Sequence, residues 1–120
     1  MESYASLIQR QLDAYNRKDV VAWLSTYASD ARQLSLHGEC LATGHAEIRS
    51  RIAARFQEPD LHARLLSRTI MNNIVVDLEV ITRNFPEGKG EVEMLCVYEI
   101  QKNLIQTASF ALGKPKLLSE

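Results

Sequence analysis

Cysteine, proline and glycine are all scarce in this chain, with two, three and five residues respectively. Cys40 falls in an apparent loop and Cys96 in an apparent strand, and nothing upstream reads as a secretion signal. Two free thiols are therefore expected in place of a disulfide. Met1-Glu2-Ser3-Tyr4-Ala5-Ser6 lacks the basic stretch and following apolar run of a signal peptide. No segment approaches the roughly 18 apolar residues that cross a bilayer. The expectation is a cytoplasmic protein with no membrane partner. An excess of one charge is missing too: 14 Lys and Arg stand against 15 Asp and Glu, for a net charge of −1. Nucleic-acid binding needs a concentrated basic face, so no nucleic-acid partner is expected. The histidines and cysteines do not fall at the spacing of a zinc site, and no metal or other cofactor is expected.

What is present is an ordinary globular composition, 46% hydrophobic and 24% charged over 120 residues. It argues against disorder and for one domain over residues 1–120. Tyr4, Leu7, Ile8, Leu12 and Tyr15 recur at three- and four-residue steps, the stripe of an amphipathic helix that Ser3 can cap. Asp19 caps a second, short helix whose inner face is Val20, Trp23, Leu24 and Tyr27. Ala31 to His37 alternates as a strand, with Leu34 and Leu36 on one side and Gln33, Ser35 and His37 on the other. Gly38 to Gly44 reads as a loop. Gly44 and Glu47 then open a third helix, with Ile48, Ile52 and Phe56 inward, and Pro59 stops it.

Beyond Pro59 the period becomes two. Strands are predicted over 62–71, 74–83, 91–101 and 104–112, turning at Asn72-Asn73, at Pro86 to Gly90 and at Lys102-Asn103. The first turn places Arg68 opposite Asp77 and Leu66 opposite Glu79. One face would then carry Val76, Leu78, Val80, Met94, Cys96, Tyr98 and Ser109 beneath the helices. The other would carry Arg64, Arg68, Asp77, Glu79 and Arg83, with Leu95, Val97 and Phe110 among them. A slip of one residue reverses any of these assignments.

The order helix, helix, strand, helix, then four antiparallel strands resembles the nuclear transport factor 2-like superfamily. The nearest look is to its SnoaL-like branch of polyketide cyclases and ketosteroid-isomerase-like proteins. Tyr15-Asn16 with Asp19 carries the likeness, as do Tyr27-Ala28-Ser29-Asp30-Ala31 and Gly44 with Ile48-Arg49. So do Val76-Asp77-Leu78-Glu79 before Arg83, and Tyr98-Glu99-Ile100 before Asn103-Leu104-Ile105. The resemblance spans nearly the whole chain and speaks to fold more than to activity. It implies an α+β, cone-shaped domain: three N-terminal helices on a strongly bent, mainly antiparallel sheet, enclosing a mostly apolar pocket. It also implies a homodimer through the sheet's outer face. A ketosteroid isomerase works with an Asp base, a Tyr and a protonated Asp. On the resemblance the base position falls to Ser35, the Tyr position to Gln11 and the protonated-Asp position to Cys96, so that catalytic set is absent.

Candidate site residues follow. His37, Ser35 and Tyr98 are the candidate catalytic groups: imidazole titrates near neutrality, and a tyrosine can donate to a carbonyl oxygen. Tyr15, Trp23, Tyr27, Gln33, Phe56, Cys96 and Ser109 are the candidate ligand contacts. Asp77 and Glu79 look like paired carboxylates, but Arg64 and Arg68 across the hairpin explain them as ion pairs. With Leu95, Val97 and Phe110 these four are read as a dimer interface. The expected function is binding of a small, mostly apolar molecule, with acid–base turnover as an isomerase, cyclase or hydrolase. The alternative is a non-catalytic binding or interaction module acting as a homodimer.

Overall fold

A computed structural model describes residues 2–118 of the chain. Helix α1 spans Tyr4–Arg17 and is capped by Ser3, whose hydroxyl accepts the Ser6 N–H at 3.1 Å. Lys18 turns the chain out of the helix in the left-handed region, at φ 59°. Asp19 caps α2, Val20–Leu24, by accepting the Ala22 N–H at 3.0 Å. The sequence pattern carried helix on to Tyr27, but strand β1 already runs Tyr27–Ser35. The Thr26 hydroxyl donates to the Trp23 carbonyl at 2.6 Å, and the Thr26 carbonyl takes the Ile105 N–H at 2.8 Å. A strand thus captures the backbone before another helical turn can form.

Cys40–Thr43, expected as loop, is strand β2 on the edge of β1. Helix α3 runs Gly44–Arg55, and Glu47 reaches back to the Thr43 N–H at 2.9 Å. That is one half of a capping box; the Thr43 side chain does not supply the other. Strands β3 (His62–Met71), β4 (Ile74–Phe85), β5 (Gly88–Gln101) and β6 (Leu104–Leu112) form an antiparallel meander. Its Asn72-Asn73 and Lys102-Asn103 turns use positive φ at Asn72, Lys102 and Asn103. A short β7, Lys116–Leu117, joins β5 at Gly90 and Glu91. Gly90 permits that approach, since a Cβ there would lie 2.7 Å from the Lys116 carbonyl oxygen. The sheet order is β2-β1-β6-β5-β4-β3, with only the β1–β6 pair parallel. The three helices pack on one face of this curved open sheet, an α+β cone.

One register decides what the helices cover. The β4–β5 turn is Pro86-Glu87 alone, because Phe85 pairs with Gly88. Asp77 therefore pairs with Cys96, Glu79 with Met94 and Ile81 with Val92, and these share the inner face. The expected grouping of Val76, Leu78 and Val80 with Cys96 is one residue out. In β3 an irregularity between Leu65 and Ser67 shifts the pairing, so Glu79 faces Leu65, not Leu66. On β6 the inner residue opposite Cys96 is Phe110; Ser109 pairs with Val97 and faces out. Asp77, Glu79, Arg68 and Phe110 are thereby removed from the expected interface. Asp77 is fully buried and Glu79 nearly so. Arg68 lies under α1, donating to Asp77 at 2.7 and 2.9 Å and to Gln9 at 3.1 Å. Arg64, Leu95 and Val97 remain on the outer face.

Candidate functional site

Between the helices and the inner face lies a cavity of about 470 Å³. α1 contributes Gln11, Leu12 and Tyr15 to its wall, and α2 contributes Trp23. β1 contributes Tyr27, Gln33, Ser35 and then His37 just beyond its end. α3 contributes Arg51, Ile52 and Arg55; the sheet contributes Glu79, Ile81, Arg83, Met94, Tyr98 and Phe110. Strand and helix periods converge here. After an irregularity between Tyr27 and Arg32, alternate residues Ala31, Gln33 and Ser35 of β1 turn toward the helices, while α3 offers Arg51 and Arg55 one turn apart.

The structure brings His37, Ser35 and Tyr98 to one cavity, together with Tyr15, Trp23, Tyr27 and Gln33. His37 is exposed at the rim and Tyr98 is deep in the wall. Phe56 does not reach the cavity. It packs edge-on against Tyr15, centroids 5.5 Å apart, and against Trp23 at 6.4 Å, holding both rings from behind. Cys96 is wholly buried beside Glu79 and Tyr98 and does not line the space. Ser109 is on the opposite face and drops out as a ligand contact. Phe110, expected at an interface, lines the cavity in its place.

Electrostatics single out Glu79. Burial, followed by the Asp77 carboxylate behind it, raises its pKa from an ordinary 4.5 to about 7; Arg68 and the Cys96 thiol pull the other way. Arg68 forms its short contact with Asp77, and Glu79 has no salt bridge among the described residues. Burial also pushes the Tyr98 hydroxyl well above its usual range, with Cys96 and Glu79 adding to it. Tyr98 is thus held as a proton donor. The Arg51 guanidinium donates to Gln33 Oε1 at 2.7 Å, and Gln33 Nε2 meets the Tyr27 hydroxyl at 3.4 Å. Trp23 Nε1 is buried with no hydrogen-bond partner among the described residues.

Sequence reasoning missed Glu79 as a cavity residue because β4 alternates apolar Val76, Leu78 and Val80 with Asp77 and Glu79. That period points the apolar side at the helices, whereas the structure turns the carboxylates inward. The deciding signal was the turn: Pro86 followed two residues later by Gly88 suits a tight turn with Phe85 and Gly88 at its ends. Arg51 and Arg55 were not among the expected site residues; nothing in the helix period marked the opening beside them. No cluster among the described residues could hold a metal ion, and no described helix is long and apolar enough to cross a membrane.

Helices closed over one face of a bent sheet, with a polar-dotted hollow between, define a cone fold of the nuclear transport factor 2-like kind. The chain belongs to the SnoaL-like domain family, whose model matches residues 8–107. Among solved structures it is similar to a cystatin-fold protein of Novosphingobium aromaticivorans, uncharacterised, at 23% identity. That likeness has a TM-score of 0.86 and covers 92% of this chain and 99% of the other. It is similar to a candidate polyketide cyclase of Sinorhizobium meliloti, at 21% identity and TM-score 0.73, covering 88% and 93%. A ketosteroid isomerase-like fold protein of Catenulispora acidiphila, in complex with trimethylamine, aligns at 14% identity and TM-score 0.76, covering 88% and 83%. These likenesses concern the fold. A search of curated proteins finds no match.

Proposed function

We propose that this protein binds a small, mostly apolar carbonyl compound in the cavity and moves a proton on it, with Glu79 as the acid–base group. The observation that carries the reading is a buried carboxyl on the cavity wall whose pKa stands at about 7. A group titrating at the working pH is present as both acid and base, which is where proton transfer is most efficient. Glu79 in its carboxylate form takes a proton from the carbon next to the carbonyl. The Tyr98 hydroxyl, kept protonated by burial, donates to the carbonyl oxygen as charge develops there. Glu79 then returns the proton at the same or a neighbouring atom, which is the elementary step shared by isomerases and cyclases. His37 and Ser35 at the mouth contribute hydrogen bonds to the entering molecule. Aromatic walls from Tyr15, Trp23 and Tyr27 supply the apolar contact.

The test needs no knowledge of the product. A panel of enolisable ketones is incubated in D2O with the protein, and deuterium uptake at the carbon beside the carbonyl is followed by mass spectrometry. Protein-dependent uptake with at least one panel member, lost by about 100-fold or more in Glu79→Gln, is expected. Uptake that is equal in Glu79→Gln removes Glu79 from the role.

We further propose a homodimer through the outer sheet face, as the family resemblance implies. Leu95 and Val97 lie there with Val76 and Leu78, cross-strand partners by register and only half-buried. Arg64 stands toward one edge of the same face.

A further inference from the structure

Cations on the cavity wall outnumber the acids that balance them. Arg51, Arg55 and Arg83 all line the space. Arg83 grips Glu58 with two bonds, at 2.8 and 2.9 Å, and Arg55 reaches the same Glu58 at 3.3 Å. Arg51 has no acidic partner within 4.0 Å among the described residues; its one side-chain bond goes to the neutral Gln33. Arg51 and Arg55 sit one turn apart on α3, so their like charges repel. That repulsion, after burial, lowers the Arg51 pKa. Glu79 does not serve as their counter-ion: the charges acting most on it are Asp77 and Arg68.

Trp23 lies on the same wall and lends its ring as apolar surface; its indole N–H is covered by protein atoms and does not open on the space. Arg51 is a donor, and only an acceptor can satisfy it. The missing group on the ligand is therefore an acceptor, and a charged one fits best. A guanidinium takes a carboxylate through two parallel N–H bonds, the strongest arrangement open to it.

We infer that the cavity's ligand is an organic anion, an apolar body carrying a carboxylate, with the carboxylate held by Arg51 at the α3 side and the body lying along the aromatic wall toward Glu79. This deepens the proposed function and rests on its cavity being a binding site. The carboxylate fixes which end of the molecule enters first. The reacting carbon is thereby presented to the sheet, where Glu79 stands.

A matched pair of probes tests this: 3-phenylpropanoate and 3-phenylpropanamide, nearly equal in shape and different in charge. The chain has one tryptophan, so its indole N–H gives a single cross-peak in a nitrogen–proton spectrum. That peak reports occupancy at Trp23 directly. In the wild type at pH 7.5 the acid should bind about tenfold more tightly than the amide. Arg51→Gln should bring the two within about twofold, while Arg51→Lys, which keeps the charge, should retain part of the preference. Equal affinity of acid and amide in the wild type overturns the anion inference and leaves the binding cavity standing. A wild-type preference that survives Arg51→Gln overturns the assignment to Arg51. If neither probe moves the indole peak at millimolar concentration, the cavity is not a binding site and both readings fall.

Discussion

Glu79 combines two properties that seldom coexist in a carboxylic acid: it is almost wholly buried, and no arginine or lysine among the described residues lies within salt-bridge distance of it. Its pKa therefore rises, mainly because the charged form loses hydration. The folded protein keeps a proton that the unfolded chain releases above about pH 4.5. The stability tied to Glu79 is complete below that pH, falls as pH rises toward 7, and is lost beyond it. The difference is on the order of 3 kcal/mol. Urea unfolding at pH 5 and pH 8 should show most of this drop in the wild type, and Glu79→Gln should flatten it. A variant that falls as steeply as the wild type would place the titration elsewhere. Arg68→Met should raise the Glu79 pKa further, since Arg68 lowers it. At this scale the sequence showed Gln33, Ser35 and His37 well, because β1 has one clearly polar side. It hid Glu79, because β4 turns its charged side, not its apolar one, toward the helices.

Elements hold the cavity open through a few buried polar ties. Asn16, at the end of α1, both donates to the Ala63 carbonyl at 2.9 Å and accepts its N–H at 2.8 Å. The helix is thus stitched to β3 beside the irregularity that turns Ala63 and Leu65 inward. Asn16→Ala leaves both backbone groups without a partner and should cost about 1–3 kcal/mol in urea unfolding. The Arg68–Asp77 pair ties β3 and β4, and through Gln9 it ties α1. Asp77→Ala strands a half-buried guanidinium under the helix and should cost about 3–5 kcal/mol. A loss below 1 kcal/mol in either variant would show that the helix is held by apolar packing alone. Caps and turns were legible because they rest on local chemistry: Ser3, Asp19, Asn72-Asn73 and Lys102-Asn103 each act within a few residues. Strand β2 and strand β7 were not, since each exists only by pairing with a partner distant in sequence or too short to carry a pattern. The face of β4 failed for a related reason, as its register hung on reading Pro86-Glu87 as a two-residue turn.

Across the whole molecule, helices cover one side of the sheet and leave Val76, Leu78, Leu95 and Val97 half-buried on the other. Such a face suits a second copy of the chain. Sedimentation should give twice the chain mass, and Leu95→Glu together with Val97→Lys should yield a folded monomer; a wild-type monomer at high concentration would count against the pairing. The order of elements, with three helices ahead of the meander, made the cone legible from the sequence. The contents of its hollow were not, because they depend on which face each strand turns inward. The account as a whole stands on that hollow holding a proton at neutral pH. Carbon-13 NMR of glutamate side-chain carboxyls, with the Glu79 signal assigned by its loss in Glu79→Gln, measures this directly. A titration midpoint near 7 is the result expected here, and a midpoint near 4.5 would contradict it.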